Sequence, residues 1–164
     1  MTWTDWKYPT ANELFFANGE TRWVHAEHAN VDDLNVVSTG MLVKFGGATD
    51  RRRWTGFGFD TAGGVPADAV SVDGIEVELL DPIGDDTLSV WVHAGTVSSP
   101  FPSNDLLSVS TRGGLFELWG LTPTVYDVRI PAFGVELRMV NPHLELNRID
   151  TFNALRCRIN YTGA

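Results

Sequence analysis

The sequence predicts a single all-β domain: an antiparallel β-sandwich, jelly-roll-like in its winding, carrying an N-terminal arm. Three observations carry that expectation. Apolar stretches alternate with a period of two, helical periodicity is nearly absent, and glycine pairs and prolines punctuate the chain at short intervals. A length of 164 residues suits one core, and 16 Gly, 8 Pro and 43% hydrophobic residues fit a folded, turn-rich chain.

Residues 1–22 show no alternation. Trp3, Trp6, Tyr8, Phe15 and Phe16 stand there among polar residues with Pro9 and Asn12, so the segment is expected to be an arm whose aromatic rings bury against the parent domain or a neighbouring subunit. The sandwich is expected over 23–164. Its first strand is predicted over 36–45, ending at Gly46-Gly47, and Arg51-Arg52-Arg53 then forms the one basic cluster, read either as a solvated loop before a strand or as a contact for an acidic partner surface.

Strands follow over 54–59 and 70–80, separated by Gly63-Gly64 and Pro66. Alternation puts Ile75, Val77 and Leu79 on one side and Glu76 and Glu78 on the other. Over 87–94 the same argument places Leu88, Val90 and Val92 inward and Ser89, Trp91 and His93 on the opposite face. Trp91 is therefore either packed under the long loop that follows or part of an interface. Further strands are expected over 106–110, 115–119, 125–130, 133–140 and 154–161, with Gly113-Gly114 and Pro131 supplying turns between them.

Charge and composition narrow the function. Twelve Lys and Arg against 21 Asp and Glu give a formal charge of -9, a field that repels nucleic acid and anionic membrane surfaces. No segment approaches the ~18 apolar residues needed to span a bilayer, and the first residues do not read as an export signal, so a soluble protein with no nucleic-acid or membrane partner is expected. Cys157 is the sole cysteine and reads as a small inward hydrophobe in Leu155-Arg-Cys-Arg-Ile159.

The signatures of chemistry are sparse. There is no Gly-x-Ser-x-Gly and no Gly-x-x-x-x-Gly-Lys. Glu76 and Glu78 have a spacing that a glycosidase could use, yet such pairs occur on nearly every acidic amphipathic strand. His25-Ala-Glu-His28 has the spacing of helical metal ligands but sits in a short, loop-like stretch, which assigns it a surface or capping role. No catalytic residue, metal or cofactor is expected.

One resemblance spans residues 20–162. Trp23 with Asp32-Asp33, Trp54-x-Gly-Phe-Gly-Phe59, Pro66-Ala-Asp-Ala-Val70, Gly74-Ile-Glu-Val-Glu78, Ala94-Gly-Thr-Val97 and Gly113-Gly-Leu-Phe-Glu-Leu-Trp-Gly-Leu-Thr122 come in the order of a β-sandwich module of tailed-bacteriophage structural proteins. Val125-Tyr-Asp-Val128, Phe133-Gly-Val-Glu-Leu137 and Ile149-Asp150 continue the pattern. The resemblance implies a non-enzymatic component of the phage particle surface: a head decoration or cement protein, homo-oligomeric and attractive as a trimer, bound to the major capsid or other virion proteins. Partner-binding residues are expected at Trp3, Trp6, Tyr8, Phe15, Phe16, Arg51, Arg52, Arg53 and Trp91. The alternative is a neck, tail or short-fibre component with a receptor- or carbohydrate-binding sandwich, a host glycan resting on Trp91, Trp119 or Tyr126.

Overall fold

The computed structural model describes residues 1–16, 23–31, 37–39, 51–84, 86–140 and 150–163. Thirteen strands form there: β1 (Thr2–Trp3), β2 (Ala11–Phe16), β3 (Trp23–Val24), β4 (Val37–Thr39), β5 (Arg51–Thr55), β6 (Ser71–Leu79), β7 (Thr87–Ala94), β8 (Val97–Ser98), β9 (Ser103–Leu106), β10 (Thr111–Gly113), β11 (Gly134–Val140), β12 (Thr151–Phe152) and β13 (Leu155–Thr162). A 3-10 helix, Ala26–Asn30, and one short helix, α1 (Val125–Arg129), interrupt them.

The protein is a β-sandwich. One sheet runs β1-β13-β6-β10, and the other runs β2-β5-β11-β7-β8 with β9 also paired to β7; all pairs are antiparallel. A small third sheet, β12-β4-β3, accompanies them. Alternation sets the inner faces as the sequence predicts. Ile75, Val77 and Leu79 of β6 and Leu155, Cys157 and Ile159 of β13 are buried with Leu88, Val90 and Val92 of β7 and Val135, Leu137 and Met139 of β11. Trp54 anchors this core. Its ring meets Trp23 and Phe152 edge to face, and its Nε1 donates to the Ala26 carbonyl at 2.9 Å, which satisfies the polar end of a fully buried indole.

Several elements differ from the sequence expectation. Arg51, Arg52 and Arg53 are not a loop but the body of β5, which pairs on both edges. That strand ends at Thr55 because Gly56 turns to φ +73°, and Phe57 and Phe59 enter the core from the loop beyond. The expected strand 125–130 is helical. Thr124 caps it through a reciprocal box, Asp127 N donating to Thr124 Oγ1 at 3.3 Å and Thr124 N donating to Asp127 Oδ2 at 2.8 Å. Residues 115–119 form turns, held by Glu117 N to Gly114 O and Leu121 N to Leu118 O. The strand expected at 106–110 instead lies at β9, an edge strand of polar, mostly exposed residues that alternation does not mark. Most of the predicted strand 36–45 falls outside the described residues, which include Val37–Thr39 as β4.

The segment expected as an arm is, through residue 16, woven into the sandwich. β1 pairs with β13, Lys7 bridges Cys157, and β2 pairs with β5. The same short stretch thus serves both sheets. Its aromatic residues escape alternation because β1 has two residues and β2 shifts register between Leu14 and Phe16.

Candidate functional site

The proposed partner-binding residues separate onto different faces. On the outer face of the β1-β13-β6-β10 sheet, Arg156 stands opposite Glu78 and Arg158 opposite Glu76, with Nε–Oε2 at 2.5 Å and Nη2–Oε1 at 2.9 Å. Trp6 lies against both guanidinium groups, 4.5 Å from each, and Trp3 lies 4.4 Å from that of Arg158. Tyr8 also meets Arg156. The indoles and guanidinium groups are half-buried against one another, a cation–π arrangement that shields the strand pair beneath. Glu76 and Glu78 are therefore committed to ion pairs.

On the outer face of the other sheet, Glu136 of β11 has 0% exposure and is held between Arg51 and His93; His93 Nε2 lies 2.6 Å from its Oε2. Arg51 also covers the Trp91 ring at 4.3 Å, and the Phe15 ring meets the His93 imidazole edge to face at 4.8 Å. Phe15 and His93 belong to β2 and β7, with β5 and β11 lying between those strands, so the Phe15 side chain reaches across the sheet. Arg53 pairs with Glu13 and lies over Phe15. Arg52 faces the other way, donating to Asn12 Oδ1 at 2.6 Å. Phe16 closes β2, paired with Arg51.

A third location presents an open pocket of mixed polar and apolar lining. Between the segments 100–103 and 113–120 lies a pocket of about 400 Å³, walled by Pro100, Phe101 and Pro102 on one side and by Glu117, Trp119 and Gly120 on the other. Its frame is stiff. Trp119 adopts φ +59°, unusual for a bulky residue, and is fixed by Nε1 donating to Ile75 O at 3.1 Å and by its backbone N donating to Glu117 Oε1 at 2.6 Å. Buried Arg112 ties the two segments together by donating to the carbonyls of Ser103, Asp105 and Leu106, and its burial pulls the guanidinium below its usual pKa.

The approach of this loop depends on Gly74. A Cβ there would lie 2.3 Å from the carbonyl oxygens of Gly114 and Leu115. Phe101 and Phe116 remain 79% and 67% exposed, and Tyr126 on α1 is also exposed. Trp119 was singled out by the sequence, but Phe101 was not; the flanking Pro100 and Pro102, which cannot donate to a ladder, were the signal for a loop that holds the ring outward.

Comparison with protein-family models, with curated proteins and with solved structures finds no match to this chain. Of the nine residues expected to bind a partner, Trp3, Trp6, Tyr8, Phe15, Arg51, Arg52, Arg53 and Trp91 take part in side-chain contacts within the chain. Among the described residues no helix is long and apolar enough to cross a membrane.

Proposed function

We propose that this chain is a non-enzymatic structural protein of a tailed-phage virion, a head decoration or cement subunit that docks on neighbouring capsid subunits through the rim of the Trp119 pocket. The observation that carries this reading is a pair of bare phenylalanines, Phe101 in the wall of a pocket lined about equally by polar and apolar surface and Phe116 next in sequence to its wall residue Glu117, on a molecule whose two sheet faces are covered by their own aromatic and arginine side chains. Exposed rings beside a recess are the kind of surface that a protein partner buries. Homo-oligomers, trimers at local threefold positions, would repeat the contact and raise avidity without strong single interfaces. The order of motifs resembling tailed-phage sandwich modules supports the virion setting.

The test is co-sedimentation with capsids assembled without the protein. A Phe101→Ser, Phe116→Ser double variant is expected to lose binding while its thermal unfolding stays near that of the parent. Undiminished binding would refute docking through this rim.

Trp119 and Glu117 in the pocket wall favour a second reading, a receptor- or carbohydrate-binding sandwich of a neck, tail or short fibre. Saturable binding on a glycan array, lost in Phe101→Ser, would favour that reading over docking on the capsid.

A further inference from the structure

We propose that His25, Glu27 and His28 form a surface site for a zinc-class divalent ion. His25 precedes the 3-10 helix with φ 56° and ψ 45°, and its carbonyl accepts from His28 N at 3.0 Å, closing the turn. Ala26 and Ala29 are buried, with the Ala26 carbonyl tied to the Trp54 indole. The helix is thus anchored by its small residues and turns Glu27 and His28 away from the core.

This arrangement gathers three donors at one point. The two imidazole rings stack nearly parallel, with centroids 4.9 Å apart and an interplanar angle of 10°. Glu27 Oε1 lies 3.4 Å from His25 Nδ1 and 3.9 Å from His28 Nε2, and all three donor atoms fall within 4.8 Å of one another. A tetrahedral ion with bonds of ~2.0–2.1 Å places its ligand atoms about 3.3 Å apart. One edge already has about that length; because an imidazole holds an ion in its ring plane, the stacked rings must also turn out of parallel, and the exposed His25 and Glu27 side chains have room for that rotation.

Two imidazoles with one carboxylate select zinc, nickel, cobalt or copper over calcium and magnesium, which favour all-oxygen shells. Three protein donors leave the fourth position to water or to a side chain of a bound molecule. From the sequence alone His25 and His28 read as surface or capping residues; the structure gives no side-chain cap at this helix and brings Glu27 between them.

The experiment is calorimetric titration of the full chain with zinc chloride, paired with thermal unfolding. One equivalent is expected to bind and to raise the unfolding temperature, and calcium is expected to do neither. His25→Asn keeps a residue that tolerates the left-handed backbone while removing the imidazole. It and His28→Ala are each expected to weaken zinc binding about tenfold or more, the scale on which even a supporting group acts. Copper loaded at one equivalent should give an electron paramagnetic resonance spectrum with two nitrogen ligands. The absence of stoichiometric zinc binding, or equal binding and equal thermal stabilisation in the doubly substituted protein, would overturn the proposal.

Discussion

His93 Nε2 and Glu136 Oε2 lie 2.6 Å apart on adjacent strands, on the outer face of a sheet where Glu136 has no solvent exposure. A carboxylate in such a place is stable only while its partners stay, because a desolvated charge costs several kcal/mol unless it is paired. Arg51 is the second partner, and Phe15 packs against His93. The acid therefore ties β2, β5, β7 and β11 together through side chains as well as through their ladders.

Glu136→Ala is expected to lower the unfolding free energy by about 1–3 kcal/mol, the cost of leaving its buried hydrogen-bond partner His93 unsatisfied. Urea denaturation followed by circular dichroism measures it. A loss within the range of a surface substitution, about 0.5 kcal/mol, would mean that water reaches the pair.

Trp6 meets two guanidinium groups. At about 0.5–1 kcal/mol for each such contact, Trp6→Leu should cost about 1–2 kcal/mol beyond its lost area. Removal of residues 1–16 should go further, because it bares the edges of β13 and β5 at once. The truncated protein is expected to unfold at lower temperature and to associate, detectable by scanning calorimetry and light scattering.

Gly74→Ala should destabilise the fold by about 1–3 kcal/mol, the range for overpacking. The new Cβ would meet backbone carbonyls of Gly114 and Leu115 rather than a side-chain tip. Hydrogen exchange at 114–120 should rise in the same variant, since Ile75 N donates to Glu117 O across this contact.

Cys157 is fully buried, and desolvation first, then the charge of Glu76, raises its thiol pKa well above the usual value. Little thiolate forms in the folded state near neutral pH. The thiol is expected to resist Ellman's reagent in buffer at pH 8 and to react completely in guanidinium chloride. Rapid labelling of folded protein would show that β13 opens readily.

The strands that build the sandwich interior were legible because one side of each faces a core. β7 occupies residues 87–94 as expected, and β6, β11 and β13 begin and end within a residue of their predicted limits. Alternation fails where burial is decided otherwise. At β1 and β2, aromatic rings cover arginines on outer faces, so hydrophobicity no longer marks the inside. At α1, the β-branched and aromatic run Val125-Tyr-Asp-Val128 reads as a strand, although Thr124 and Asp127 carried the capping signature that won. The candidate sites were harder to read. Phe15 and His93 are far apart in sequence and meet only through sheet order, and the pocket wall is drawn from two loops that the tie through Arg112 brings together.

The pairing of β1 with β13 has a consequence for how the molecule is made. Thr4 Oγ1 accepts a hydrogen bond from Ile159 N across 155 residues of chain, so the first strand has no ladder partner until the last has left the ribosome. During synthesis Trp3 and Trp6 emerge long before Arg156 and Arg158 exist to cover them. Folding that waits on so distant a contact is slow and leaves sticky surface bare meanwhile, which exposes the nascent chain, more than the finished sandwich, to association.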